Sequence, residues 1–258
     1  MYLFLVSICS SSILYAQGPE FKVNHDRGTL ILKVCSVTIE GYEGKQIVFT
    51  SENKDSDVDP RTKGLHAING FGFIDNTGLG ISVSEINSTI EVNQVITTGF
   101  KLHILVPKNI ELLYSYHRVE GADSIIVKNM TSKTIISSDY NQIFLSNVSG
   151  PITVSTRYGS VNASFDNQTK GPISISSVHS SIDISIPPTI KGDLTLHSMH
   201  GKIKVSSDIM NKMNDSVSGK KIDFTHSFNS KLNGGGDEIR LSSEFGNVSL
   251  RNYNDPGI

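Results

Sequence analysis

Between residues 150 and 212, apolar and polar positions alternate in short bursts that recur every 21 residues without a gap. The three units read GPITVSTRYGSVNASFDNQTK from Gly150, GPISISSVHSSIDISIPPTIK from Gly171 and GDLTLHSMHGKIKVSSDIMNK from Gly192. Each carries two apolar-polar-apolar triplets: Ile152-Thr153-Val154 with Val161-Asn162-Ala163, Ile173-Ser174-Ile175 with Ile182-Asp183-Ile184, and Leu194-Thr195-Leu196 with Ile203-Lys204-Val205. A period of two is that of a strand with one buried face. A fixed period of this length is that of a stacked repeat. The pattern predicts an all-β, single-stack β-solenoid with coils of about 21 residues, two strands per coil, and a less regular N-terminal β region.

One such coil buries about four medium apolar side chains, worth roughly 1.5 to 3 kcal/mol each. Ordering its backbone costs about 1 to 2 kcal/mol per residue, so the coil is stable only in a stack of hydrogen-bonded neighbours. Gly150, Gly171 and Gly192 precede the first strand of each unit, and Gly159 and Gly201 precede the second, where Ser180 takes the middle place. Corners that require positive φ would account for them.

Outside the repeat, strands are expected over Thr29–Ile39, Lys45–Thr50, Gly80–Val83, Thr89–Val95 and Lys101–Val106, and later over Lys221–Phe224, Glu238–Leu241 and Asn247–Leu250. The stretches Ser51–Gly64 and Ser206–Lys220 read as polar interruptions. Residues 1–16, MYLFLVSICSSSILYA, read as a signal peptide cut after Ala16, although no basic residue precedes the apolar run. A lipoprotein signal at Cys9 is the weaker alternative. The expected organisation is 1–16 signal peptide, 17–106 N-terminal β region and 107–258 solenoid repeat region.

Composition adds little chemistry. A net charge of -2, with Lys and Arg scattered, gives no polyanion-binding stripe, so nucleic acid is set aside as a partner. Cys35, the one cysteine after residue 16, is expected at a buried strand position rather than as a nucleophile. The acids of the repeat, Asp166, Asp183, Asp193 and Asp208, do not converge in the frame as a glycosidase pair must. Tyr158, His179 and His200 share one column of the frame, and Thr153, Ser174 and Thr195 share another, which together make a candidate surface ladder. The two histidines, with His197 nearby, also suggest a zinc site short of ligands, against which a row of packed rings is the plainer reading. Seven Asn-x-Ser/Thr triplets, at Asn87, Asn129, Asn147, Asn162, Asn167, Asn214 and Asn247, read mostly as turn composition.

Val37-Thr38-Ile39-Glu40-Gly41-Tyr42, Leu105-Val106-Pro107, the Gly-x-apolar-x-apolar units, Leu232-Asn233-Gly234-Gly235-Gly236 and the closing Phe245-Gly246-Asn247-Val248-Ser249-Leu250-Arg251 occur in an order that resembles the bacterial putative-adhesin family of envelope proteins, a domain of unknown function common in Bacteroidetes. The resemblance covers nearly all of the chain after residue 16. It implies a β-solenoid in an extracytoplasmic place, periplasm or cell surface, and brings no catalytic residues.

The expected function is therefore that of a non-catalytic adhesin or surface interaction module. No catalytic, cofactor or metal residues are assigned, and the expected partner is a surface glycan or an envelope protein. A periplasmic structural or signalling scaffold is the alternative, and a carbohydrate-active β-helix enzyme is the third.

Overall fold

The computed structural model describes residues 19–51, 64–97, 99–213 and 227–253. The expected signal peptide with Cys9, most of the Ser51–Gly64 loop, the expected strand Lys221–Phe224, and Asn214 lie outside the described residues. The first strands are β1 (Glu20–Val23), β2 (Gly28–Lys33), β3 (Val37–Tyr42), β4 (Ile47–Ser51), β5 (Ile81–Ile86), β6 (Thr89–Gln94) and β7 (Leu102–Pro107). Then follow β8 (Ile110–Tyr116), β9 (Ser124–Lys128), β10 (Thr134–Ser138), β11 (Gln142–Ser146), β12 (Ile152–Thr156), β13 (Val161–Ser164), β14 (Ile173–Ser177) and β15 (Ile182–Ile186). The chain continues through β16 (Gly192–Ser198), β17 (Ile203–Val205), the short helix α1 (Ser207–Met210), β18 (Ser227–Leu232), β19 (Glu238–Ser243) and β20 (Val248–Asn252).

The architecture is all-β, in two ten-stranded sheets. Sheet A runs β1-β4-β7-β3-β9-β11-β13-β15-β20-β17, and sheet B runs β18-β16-β19-β14-β12-β10-β8-β2-β6-β5. Consecutive strands such as β12 and β13 fall in opposite sheets and form a rung, and each pairs in parallel with its counterpart in the next rung. Parallel neighbours need a crossover, which here is the strand in the other sheet. At the ends β4, β5 and β18 pair antiparallel, and so does β1 against β4. The strands of residues 17–106 belong to the same two sheets, since β2 pairs with β8 and β3 with β9.

The alternation predicted the core. Ile152, Ile173, Ile239 and Leu194 line one inward column of sheet B, and Val161, Ile182, Val248 and Ile203 one of sheet A, all buried. Met130, Val148, Phe165 and Ile186, all fully buried, fill the margin where the chain leaves sheet A.

The stacking order departs from chain order at both ends. Rung β6/β7 lies outside β2/β3, and rung β19/β20 sits between β14/β15 and β16/β17. The third 21-residue unit is therefore not the neighbour of the second. Ile173 pairs with Ile239, and Ile239 with Leu194. Nor is the interval constant, because Leu112 pairs with Thr134 and Thr134 with Ile152, 22 and 18 residues apart. Any rung with an apolar-x-apolar pair fits between any two others, so periodicity cannot order them.

Two further expectations change. Thr29–Ile39 is two strands in different sheets, and Cys35 is buried in the turn between them rather than on a strand. That turn is fixed from several sides: Gln94 Oε1 accepts the Cys35 N–H at 2.7 Å, and Tyr114 Oη donates to the Val34 carbonyl at 2.5 Å. Among the repeat glycines positive φ occurs at Gly171 (φ 84°). Gly159 is required by space, since a Cβ there would lie 1.7 Å from the Asn141 carbonyl oxygen of the adjoining rung. Asn87, Asn129 and Asn147 do take left-handed turns, at φ 55°, 56° and 57°, which is the turn use expected of asparagine.

Candidate functional site

A recurring corner builds the most regular surface feature. The last inward residue of the sheet B strand is a Ser or Thr, and the backbone N–H three residues on donates to its hydroxyl. The pairs are Gly159 to Thr156 (3.1 Å), Ser180 to Ser177 (3.1 Å), Gly201 to Ser198 (3.0 Å) and Gly246 to Ser243 (2.9 Å). Asn141 to Ser138 is the looser equivalent at 3.4 Å. Satisfying that donor internally lets the corner be buried and turns the second of the two intervening residues outward. In every case it is a ring: Tyr140, Tyr158, His179, Phe245 or His200.

These five rings form one continuous stack. Centroids are 5.1 Å apart for Tyr140–Tyr158, 4.9 Å for Tyr158–His179, 5.0 Å for His179–Phe245 and 4.9 Å for Phe245–His200, with interplanar angles of 8–16°. The spacing is that of adjacent strands, so the ladder is about 20 Å long. Tyr158 and His179 meet as the frame expected, but His179 and His200 do not, because Phe245 stands between them. Among the described residues no three His, Cys, Asp or Glu side chains converge as a metal site would need. Phe245 had a legible signal, since Ser243-Glu244-Phe245-Gly246 repeats the pattern of Ser198-Met199-His200-Gly201. The ladder stops at Tyr140, because in the next rung Tyr116 replaces the corner serine and Arg118 follows, lying 4.2 Å over the Phe71 ring.

Stacking covers both faces of each inner ring, so the exposure of Tyr158 (47%) and Phe245 (50%) comes from ring edges. The ladder therefore shows a row of edges, two tipped by phenol hydroxyls and two by imidazoles, rather than a platform of faces.

The second proposed column is also interrupted. Thr153 pairs with Ser174, but Arg240 separates Ser174 from Thr195, and beyond Thr153 the column turns apolar through Ile135, Leu113 and Ile31. The adjoining column is the uniform one. Ser115, Ser137, Ser155, Ser176 and Ser242 follow one another in register and end on His197.

One constellation on this column was missed. Ser137 Oγ lies 3.4 Å from His117 Nε2, His117 Nδ1 lies 3.2 Å from Asp139 Oδ1, and Arg157 Nη1 stands 3.7 Å from Asp139 Oδ2. Nucleophile, base and orienting carboxylate stand in the order acyl transfer uses. Beside them a hollow of about 470 Å³ is lined by Ser115, His117, Arg118, Lys33, Phe71 and Phe73, among others. Neighbouring rungs 22 residues apart bring the group together, which the 21-residue frame conceals. The acids of the repeat remain dispersed. Asp183 pairs with Arg251 on sheet A, Asp193 is the second residue of β16 in sheet B, and Asp166 follows β13 while Asp208 lies beyond β17, with β15 and β20 between.

Two solved structures align over most of the chain. One is a "putative cell adhesion protein" from Clostridium sporogenes, at 11% identity and TM-score 0.44 over 90% of this chain and 98% of its own. The other is a "putative adhesin" from Bacteroides fragilis, at 10% identity and TM-score 0.24 over 90% and 95%. No curated protein matches the chain. The profile of a family described as Domain of unknown function (DUF7330) matches residues 109–255, more than half of the chain, and to that family this protein belongs.

Proposed function

We propose that the protein is an adhesin-like recognition module that acts outside the cytoplasm by holding its partner rather than converting it. In this reading the two sheets are the walls of one β-solenoid, and its outward columns are the working surface. The observation that carries it is the register itself. A five-ring ladder and a five-serine column each repeat at the strand spacing over about 20 Å. A surface with a fixed repeat suits an extended partner with its own repeat, such as a surface glycan or another envelope protein. The apolar opening run of residues 1–16 supports export. Protease shaving of intact native cells, with fragments identified by mass spectrometry against a lysed control, tests this. Release from intact cells is expected, and release only after lysis would replace adhesion by a scaffold inside the envelope.

The Ser137–His117–Asp139 geometry favours a second reading, an acyl hydrolase. In that reading Ser137 Oγ attacks an ester carbonyl, His117 Nε2 takes its proton and gives it to the departing alcohol, and a water deprotonated by His117 then attacks the acyl-Ser137 carbonyl, releasing the acid and returning the proton to Ser137 Oγ. A fluorophosphonate probe that labels Ser137, and fails to label the His117→Ala variant, would establish it. Absence of labelling on Ser137 would dismiss it.

A further inference from the structure

On the outer face of sheet A, β11, β13 and β15 place Ser146, Ser164 and Ser185 in one column. Lys128 precedes this column and Arg251 follows it. The adjacent column, two residues back, carries Phe144, Asn162 and Asp183 in register. Small side chains flanked by larger ones leave a trough of about 530 Å³ that follows the stack across the strands. From Lys128 to Arg251 it spans four strand spacings, about 19 Å.

The lining identifies the class of ligand. Each cation at the ends has a carboxylate neighbour: Arg251 is paired with Asp183, and Lys128 lies beside Glu40 in the next strand. The charges of these four side chains sum to zero, which gives a polyanion no net attraction. The floor is hydroxyl, Asn162 adds an amide, and the Arg251–Asp183 pair offers donors and acceptors side by side. Phe144 is 37% exposed and, among the described residues, stacks on no other ring. Unlike the ladder rings, it lies in register between Ile126 and Asn162 rather than between other rings. Hydroxyls, an amide, a compensated ion pair and one partly exposed aromatic ring, in a shallow linear groove, match the alternation of C–H and O–H groups along a sugar chain.

We propose that this trough binds an extended neutral polysaccharide, laid parallel to the stack with a sugar ring against Phe144. The proposal rests on the recognition reading and names its site and partner class. The test is calorimetric titration of the full chain with cellohexaose, laminarihexaose, chitohexaose and mannohexaose, with glucose as the monomer control. Binding of at least one hexaose and not of glucose is expected. Phe144→Ala should weaken it about tenfold, and Ser164→Leu, which raises the floor from an outward position, should abolish it at an unchanged melting temperature. Failure of all four hexaoses to bind overturns the proposal. Hexaose binding that survives both variants and is lost in Tyr158→Ala overturns the trough and leaves the recognition reading in place at the ring ladder. Concentration-dependent dimerisation abolished by Ser164→Leu also overturns it, because a second copy would then be the occupant.

Discussion

Truncating Phe245 to alanine tests the order in which the rungs are stacked. The ring makes two stacked contacts, with centroids 5.0 Å from His179 and 4.9 Å from His200. Such pairs are worth about 0.5 to 1.5 kcal/mol each beyond area burial. The ring is half exposed, so only part of the roughly 3 to 5 kcal/mol of a buried Phe→Ala change applies. The expected loss is about 2 to 3 kcal/mol, or roughly 4 to 12 °C in Tm for a domain of this size. Met199→Ala, a change at a comparably exposed side chain (48%) outside the ring stack, is the control and should cost under about 0.5 kcal/mol.

The discriminating assay is a set of double-mutant cycles by urea denaturation at one pH. Coupling of about 0.5 to 1.5 kcal/mol is expected for His179 with Phe245 and for Phe245 with His200. Between His179 and His200, which the phenyl ring separates, coupling should fall below about 0.3 kcal/mol. A stack in chain order would reverse this, bringing the two imidazoles together and leaving Phe245 indifferent. A measured His179–His200 coupling as large as either phenylalanine coupling would refute the insertion of β19/β20.

Ile173→Asp puts a charge between Ile152 and Ile239 in the buried column and should abolish cooperative thermal unfolding; a variant melting within about 3 °C of wild type would contradict the register. Glu91 is held below the usual carboxylate value chiefly by its hydrogen bond from Lys33, with Asn93 assisting. Its contribution is therefore present above the unfolded value of 4.5 and lost as pH falls through the lower folded value, so Glu91→Gln should be destabilising at pH 7 and converge on wild type in acid. Burial pushes the Cys35 thiol up, so iodoacetamide at pH 8 should modify it at the rate of unfolding and not before. Ending the chain at residue 237 removes a rung from within the stack, and circular dichroism should show loss of the whole fold rather than of a C-terminal portion.

The alternation of Ile, Val and Leu with Ser, Thr and Asn marked the strands and the buried face, because burial on a pleat is decided two residues at a time. It could not mark neighbours. Pairing between rungs is a choice among segments with nearly the same inward pattern, and Val248-Ser249-Leu250 fits beside Ile182-Asp183-Ile184 as well as Ile203-Lys204-Val205 does. The ring column was half legible for the same reason. Tyr158 and His179 come from rungs that are adjacent in both chain and stack, whereas Phe245 enters from 66 residues beyond His179. Ser137, His117 and Asp139 were hidden because the spacing between their rungs is not the repeat interval.

In a repeat stacked in chain order, each end rung touches one neighbour and peels without disturbing the rest. Here the chain places its last rung inward. β20 is clamped between β15 and β17, and β19 between β14 and β16, so the terminal strands are held by two ladders each. The outermost rung of sheet B is in turn covered by antiparallel β18, and at the other end β4 and β5 do the same for β7 and β6. Among the described residues three of the four sheet ends are covered in this way, and sheet A ends on β17, paired in parallel with β20; a covered end does not present the open parallel edge that a like rung could extend. The outward columns inherit this arrangement. The ring ladder takes Phe245 and the trough takes Arg251 from the inserted rung, so neither surface is complete until the C-terminal strands have entered the stack. The recognition proposed above would thereby be tied to the finished fold.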